Sequence, residues 1–178
     1  MGIVDAYPYK WLPVDTVSGG RIGIDYPHHE IHEGKHYTFS YSKALSAGSV
    51  NAVAITTPTA GTGYVHFVGG LQASLSGTFI FSQNASVSGG SALTAWNNDL
   101  SSTNTSGTTI VGTPTVTTYG TAISSMVVGS NDNPTNVGGN AESRNEFILA
   151  TATTYMLYFT ANATSTYTSI NGAFYVES

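Results

Sequence analysis

The chain has 178 residues, of which only 8% are charged, with a net charge of −5 and no cysteine. That length suits one domain with a single substantial core. The absence of thiols excludes disulfides, thiolate metal sites and a cysteine nucleophile. Five Lys and Arg in all are too few for a surface that tracks phosphates, so no nucleic-acid partner is expected.

The first residues, MGIVDAYPYKWLP, lack the basic patch and apolar run of a signal peptide. No stretch approaches the roughly 18 apolar residues of a membrane helix. Synthesis in the cytoplasm and no membrane partner are the expectations. Residues 1–27 read as an extended N-terminal arm, because Pro8, Pro13 and Pro27 punctuate a segment without helical period. Its rings, Tyr7, Tyr9, Trp11 and Tyr26, would be exposed unless the arm docks on a neighbour.

HHEIHEGKH (28–36) follows, with four of the five histidines, two acids and one lysine in nine positions. It reads as the hinge from arm to body, interrupted at Gly34. Period-two alternation then dominates. Tyr37, Phe39 and Tyr41 share one face of HYTFSYS, the pattern of a half-buried strand. Further strands are expected at 49–58, at 63–71 (containing or ended by Gly69–Gly70) and at 76–83. The polar stretch 84–108 offers Trp96 and Leu100 as inward anchors. A threonine-rich strand pair is expected over 108–118, a strand at 124–130, a polar loop at 129–140, and strands at 146–151, 154–163 and 170–178. Eight to ten short strands at this spacing predict an all-β fold, a sandwich or barrel. Residues 28–178 form its body.

Chemistry is sparse. On a strand, His28, Glu30 and His32 would share a face, which makes them candidate metal ligands. The spacing is not that of HExxH, and a polar interface segment is the simpler reading, so no metal and no cofactor are expected. There is no G-x-S-x-G elbow and no glycine-rich phosphate loop, and no enzyme is expected. Glu142 and Glu146 flank Arg144 and are expected to pair with it or to cap loop backbone. Trp96 or Tyr119 could form part of a sugar-binding platform.

IHEGKHYTFSYS, ITTP (55–58), YVHFVGGLQASLSGTFIFSQ (64–83), SALTAWNNDLSSTN (91–104), GTPTVTTYGT (112–121) and GGNAESRNEFILATATTYMLYFTANA (138–163) together resemble a family of tailed-bacteriophage head decoration, or cement, proteins. The frame covers residues 28–178. Its most specific pieces are I-H-x-G and the segment carrying Arg144, Glu146, Ile148, Leu149, Thr153 and Tyr155. The closing FYVE (174–177) departs from the W-Y-E ending associated with the family. The resemblance implies a jelly-roll-like sandwich. It also implies a homotrimer seated on the outside of the shell at threefold positions, with the major capsid protein as partner and the virion as location. Interface residues would then be Tyr7, Tyr9, Trp11, Tyr26, His28, His29, His32 and His36. The alternative is a carbohydrate- or receptor-binding β-sandwich module of a phage tail or fibre.

Overall fold

A computed structural model describes residues 26–59, 63–128, 137–138, 146–163 and 166–177. One short helix, α1 (Tyr26–His32), precedes the strands. These are β1 (His36–Leu45), β2 (Val50–Thr56), β3 (Tyr64–Ala73), β4 (Gly77–Gln83), β5 (Ser86–Ser88), β6 (Ser91–Ala92) and β7 (Trp96–Asn97). They continue as β8 (Thr109–Gly112), β9 (Thr115–Thr118), β10 (Thr121–Val128), β11 (Val137–Gly138), β12 (Phe147–Leu149), β13 (Thr154–Ala161) and β14 (Thr166–Glu177).

Among the described residues every strand pairing is antiparallel. One sheet contains the order β12-β3-β14-β1 and the other β10-β4-β13-β2. These orders, of four antiparallel strands in each sheet, are those of a jelly roll, so the all-β sandwich expectation holds at the level of strand order. Residues 84–120 add to this frame. β7 extends the first sheet beyond β1, β8 and β6 extend the second beyond β2, and β5 with β9 forms a separate ribbon.

Alternation sets which side chains meet between the sheets. Tyr37 and Phe39 from β1, Val65 and Phe67 from β3, Phe79 and Phe81 from β4, and Tyr155, Leu157 and Phe159 from β13 are all buried in one cluster. Rings carry the seam: Phe67 lies 5.6 Å from Phe81, and Phe81 lies 5.1 Å from Phe147 and 5.7 Å from Tyr155. Offset and tilted ring pairs at such distances add to the stabilisation from burial. Two glycines make room for them. Phe39, Gly172 and Gly69 form one cross-strand row, and a Cβ at Gly172 would come within 2.6 Å of Phe39 Cζ and 2.7 Å of Phe67 Cε2. β3 therefore runs through Gly69–Gly70 instead of ending there.

Three expectations need correction. Trp96 and Leu100 are not inward anchors: they are 65% and 87% exposed. Trp96 pairs with Thr38, which alternates outward between buried Tyr37 and Phe39. The strands in 108–118 do not pair with each other, since β8 joins β2 and β6 while β9 joins β5. Tyr26 and Pro27, read as the end of an extended arm, are helical, and α1 runs on from them into the hinge segment.

Candidate functional site

The structure builds its densest cluster of titratable side chains around α1. Pro27 lies in the first helical turn, where its missing N–H costs nothing. Gly34 ends the helix with φ +64°. Its N–H donates to the Ile31 carbonyl at 2.9 Å, and Lys35 N–H donates to the Glu30 carbonyl at 2.9 Å. That pair of bonds is a Schellman motif, whose left-handed residue favours glycine.

The capped end is held from outside. Asn97 Nδ2 donates to the Gly34 carbonyl at 2.8 Å, and Tyr37 Oη donates to the same oxygen at 3.2 Å. Asn104 Nδ2 donates to the Glu33 carbonyl at 3.2 Å. A Cβ at Gly34 would meet Ser102 Cβ at 2.8 Å. The polar stretch 97–104 thus closes over the end of α1 and satisfies carbonyls that a helix terminus leaves open.

At its start, α1 is pinned through Tyr26. The Tyr26 hydroxyl donates to Glu177 Oε1 at 3.2 Å, and its ring meets Tyr175 edge-on at 5.6 Å. Desolvation, then the Glu30 and Glu177 carboxylates, push the Tyr26 phenol up to about 12. Tyr175 points to the outer face of its sheet yet is 7% exposed. His66 stacks on it at 4.5 Å and His36 lies at 6.4 Å on a near-parallel plane.

His66 joins three distant segments. Its Nδ1 lies 2.9 Å from Glu146 Oε1 and its Nε2 lies 2.9 Å from Glu177 Oε2. Both contacts are hydrogen bonds at once only when the ring carries two N–H groups. The Tyr175 hydroxyl also donates to Glu146 Oε1. Strand register explains the meeting: Tyr175 and Ile148 both sit opposite His66 across β3. Glu146 is held by His66 and Tyr175; Arg144, with which the sequence pairs it, and Glu142 lie outside the described residues.

The predicted interface and metal residues separate into different environments. Tyr7, Tyr9 and Trp11 lie outside the described residues. His28 and His32 are exposed and face each other one turn apart, with their Nε2 atoms 3.0 Å apart. His29 stacks on Tyr26 at 6.2 Å and lies 3.4 Å from Glu30 Oε1 through Nδ1. His36 Nδ1 accepts from Asn98 Nδ2 at 2.8 Å; burial lowers its proton affinity, partly opposed by Glu30. The metal set fails on geometry. A helix, unlike a strand, turns Glu30 away from His28 and His32, and Glu30 is buried with its Oε2 unpartnered by any hydrogen bond. Among the described residues no group of three His, Cys, Asp or Glu is placed to hold a metal ion.

The two alternative aromatic platform candidates, Trp96 and Tyr119, are both exposed. Trp96 lies on the outer face of the first sheet, whereas Tyr119 packs 4.6 Å from Tyr158, which points outward from the second.

The His66, Tyr175 and Glu177 cluster escaped sequence reasoning. Residues 66, 146 and 177 share no local motif, and only the β3–β14 and β3–β12 registers bring them together. The helix did leave a signal, proline at its start and glycine just past its end, in a segment too short to show a period. No protein-family model matches the chain, no curated protein matches it, and no solved structure matches it.

Proposed function

We propose that this chain is a structural virion protein. In this reading it is a cement or decoration protein that binds the outside of a bacteriophage capsid as a trimer at threefold positions, with the major capsid protein as partner. Binding performs the function, and no chemical step is required.

The observation that carries the reading is the construction of the arm–body junction. Tyr26 is fastened to Glu177 and Tyr175 at the start of α1, and the other end is capped by Gly34 and closed over by Asn97 and Asn104. Tyr26, which follows the segment carrying Tyr7, Tyr9 and Trp11, is therefore held in a fixed place on the sandwich. Fixing that point lowers the conformational entropy lost when the arm docks. The pieces of sequence that carry the resemblance also gather here: Ile31, His32 and Gly34 at the end of α1, Glu146 beside His66, and Tyr175 with Glu177 on β14. A charge-poor β-sandwich, with little electrostatic repulsion between copies, suits dense packing on a shell.

The test is removal of residues 1–25, which leaves α1 whole. The shortened chain is expected to keep its far-UV spectrum and melting temperature and to lose binding to capsids stripped of this protein. Binding equal to that of the full chain would overturn the role of the arm.

A further inference from the structure

We infer that the β10 side of the sandwich is a self-association surface, and that its occupant is a second copy of this chain. The inference rests on the homo-oligomer part of the reading above and needs no capsid.

Among the described residues β10 is the outer strand of its sheet, bonded to β4 on one side only. It spans eight residues, and the seven from Thr121 to Val127 are all exposed. At about 3.4 Å per residue it presents roughly 27 Å of unpaired backbone donors and acceptors. Strands that must stay single are usually blunted by lysine, proline or an inward charge. TAISSMVV contains none of these.

Both faces of the strand are unfinished. Val127, opposite Thr78, points outward and is 75% exposed. Met126 sits opposite Phe79, a core residue, and so points inward, yet it is 43% exposed. Among the described residues the facing sheet offers only the short strands β11 and β12 on this side. Phe147 on Phe81 places β12 across from this side, but β12 has three residues against eight in β10. A sandwich normally buries inward side chains between two sheets, so an exposed inward methionine marks a missing cover.

The chemistry of the cover follows from the charge. From Ala44 to Asn140 the only charged residues are Asp99 and Asp132. β4 and β10 themselves carry no charged residue for a charged partner to pair with. A second β10 side is equally uncharged, offers matching backbone groups and brings apolar surface, so two copies bury no charge on meeting. Methionine in the centre of such a patch is a common feature of interfaces.

The experiment measures the mass of the full chain in solution by sedimentation, without capsids. It compares the parent with Val127→Glu and Ser125→Lys, both outward and exposed, and with Leu100→Glu, equally exposed but on the other side of the sandwich. The parent and Leu100→Glu are expected to assemble, with a mass of at least two chains. Val127→Glu and Ser125→Lys are expected to dissociate, with about a tenfold or greater rise in the dissociation constant and an unchanged melting temperature at dilutions where the parent is also monomeric. Assembly that survives both substitutions would overturn the inference while leaving the homo-oligomer standing. A monomeric parent would remove both. A lower melting temperature without change of mass would show that residues 129–136 of the same chain cover the edge, which also overturns it.

Discussion

On the β1–β2 side of the sandwich the chain extends both sheets with its own residues, adding β7 to one and β8 with β6 to the other. On the β3–β4 side it adds β11 and the three-residue β12 to one sheet and the long β10 to the other. The covered side is fastened by polar groups: Asn97, Asn98 and Asn104 satisfy carbonyls and a histidine at the end of α1 and the start of β1. The open side shows Met126, Val127 and Ile148 to solvent. The contrast separates two uses of sequence. Asparagines close an edge inside one chain, where their partners are fixed, and uncharged apolar residues leave an edge fit for another molecule.

If that division is right, substitutions on the covered side should cost stability and those on the open side should not. The largest effect is expected for Gly34→Val, because a β-branched residue fits neither φ +64° nor the space beside Ser102. A loss of about 2–4 kcal/mol in urea denaturation is expected, and a loss under 0.5 kcal/mol would show that 97–104 does not close over α1. Asn97→Ala should cost less, about 1 kcal/mol, since Tyr37 still reaches the Gly34 carbonyl.

The covered side should also respond to acid through His36. Burial lowers its proton affinity, its Nδ1 accepts from Asn98, and Tyr175 and Glu30 are the other groups around it. The unfolded chain takes up a proton near pH 6.5 that the folded chain resists. Stability from this group is therefore present above that pH and falls as pH drops below it. Melting curves at about pH 7.5 and 5.5 should show a larger acid loss for the parent than for His36→Gln; equal losses would sever the link. The smallest effect is expected on the open side, where Val127→Thr should shift monomer stability by no more than about 0.5 kcal/mol.

Much of the sandwich was readable from alternation, because one buried face forces period two. Tyr37 with Phe39, and Tyr155 with Leu157 and Phe159, point inward as their spacing predicts. Period fails where a strand is only two residues long. Trp96 was expected inside on size alone, but its pairing with Thr38 turns it out. The helix was hidden by its length of seven residues, and a strand geometry for His28, Glu30 and His32 suggested a convergence that helical geometry breaks. The His66 cluster was illegible for a different reason. Local sequence points Glu146 toward Arg144, whereas its described partners lie 80 and 29 residues away and are chosen by strand register.

Whole-particle cryo-electron microscopy tests the central claim most directly, by asking where on a bacteriophage this chain sits. The account predicts β-sandwich density outside the shell at threefold positions, three copies to a site, with residues 1–25 running from the start of α1 onto the capsid protein. Density confined to the tail or its fibres, or none on the particle, would contradict it.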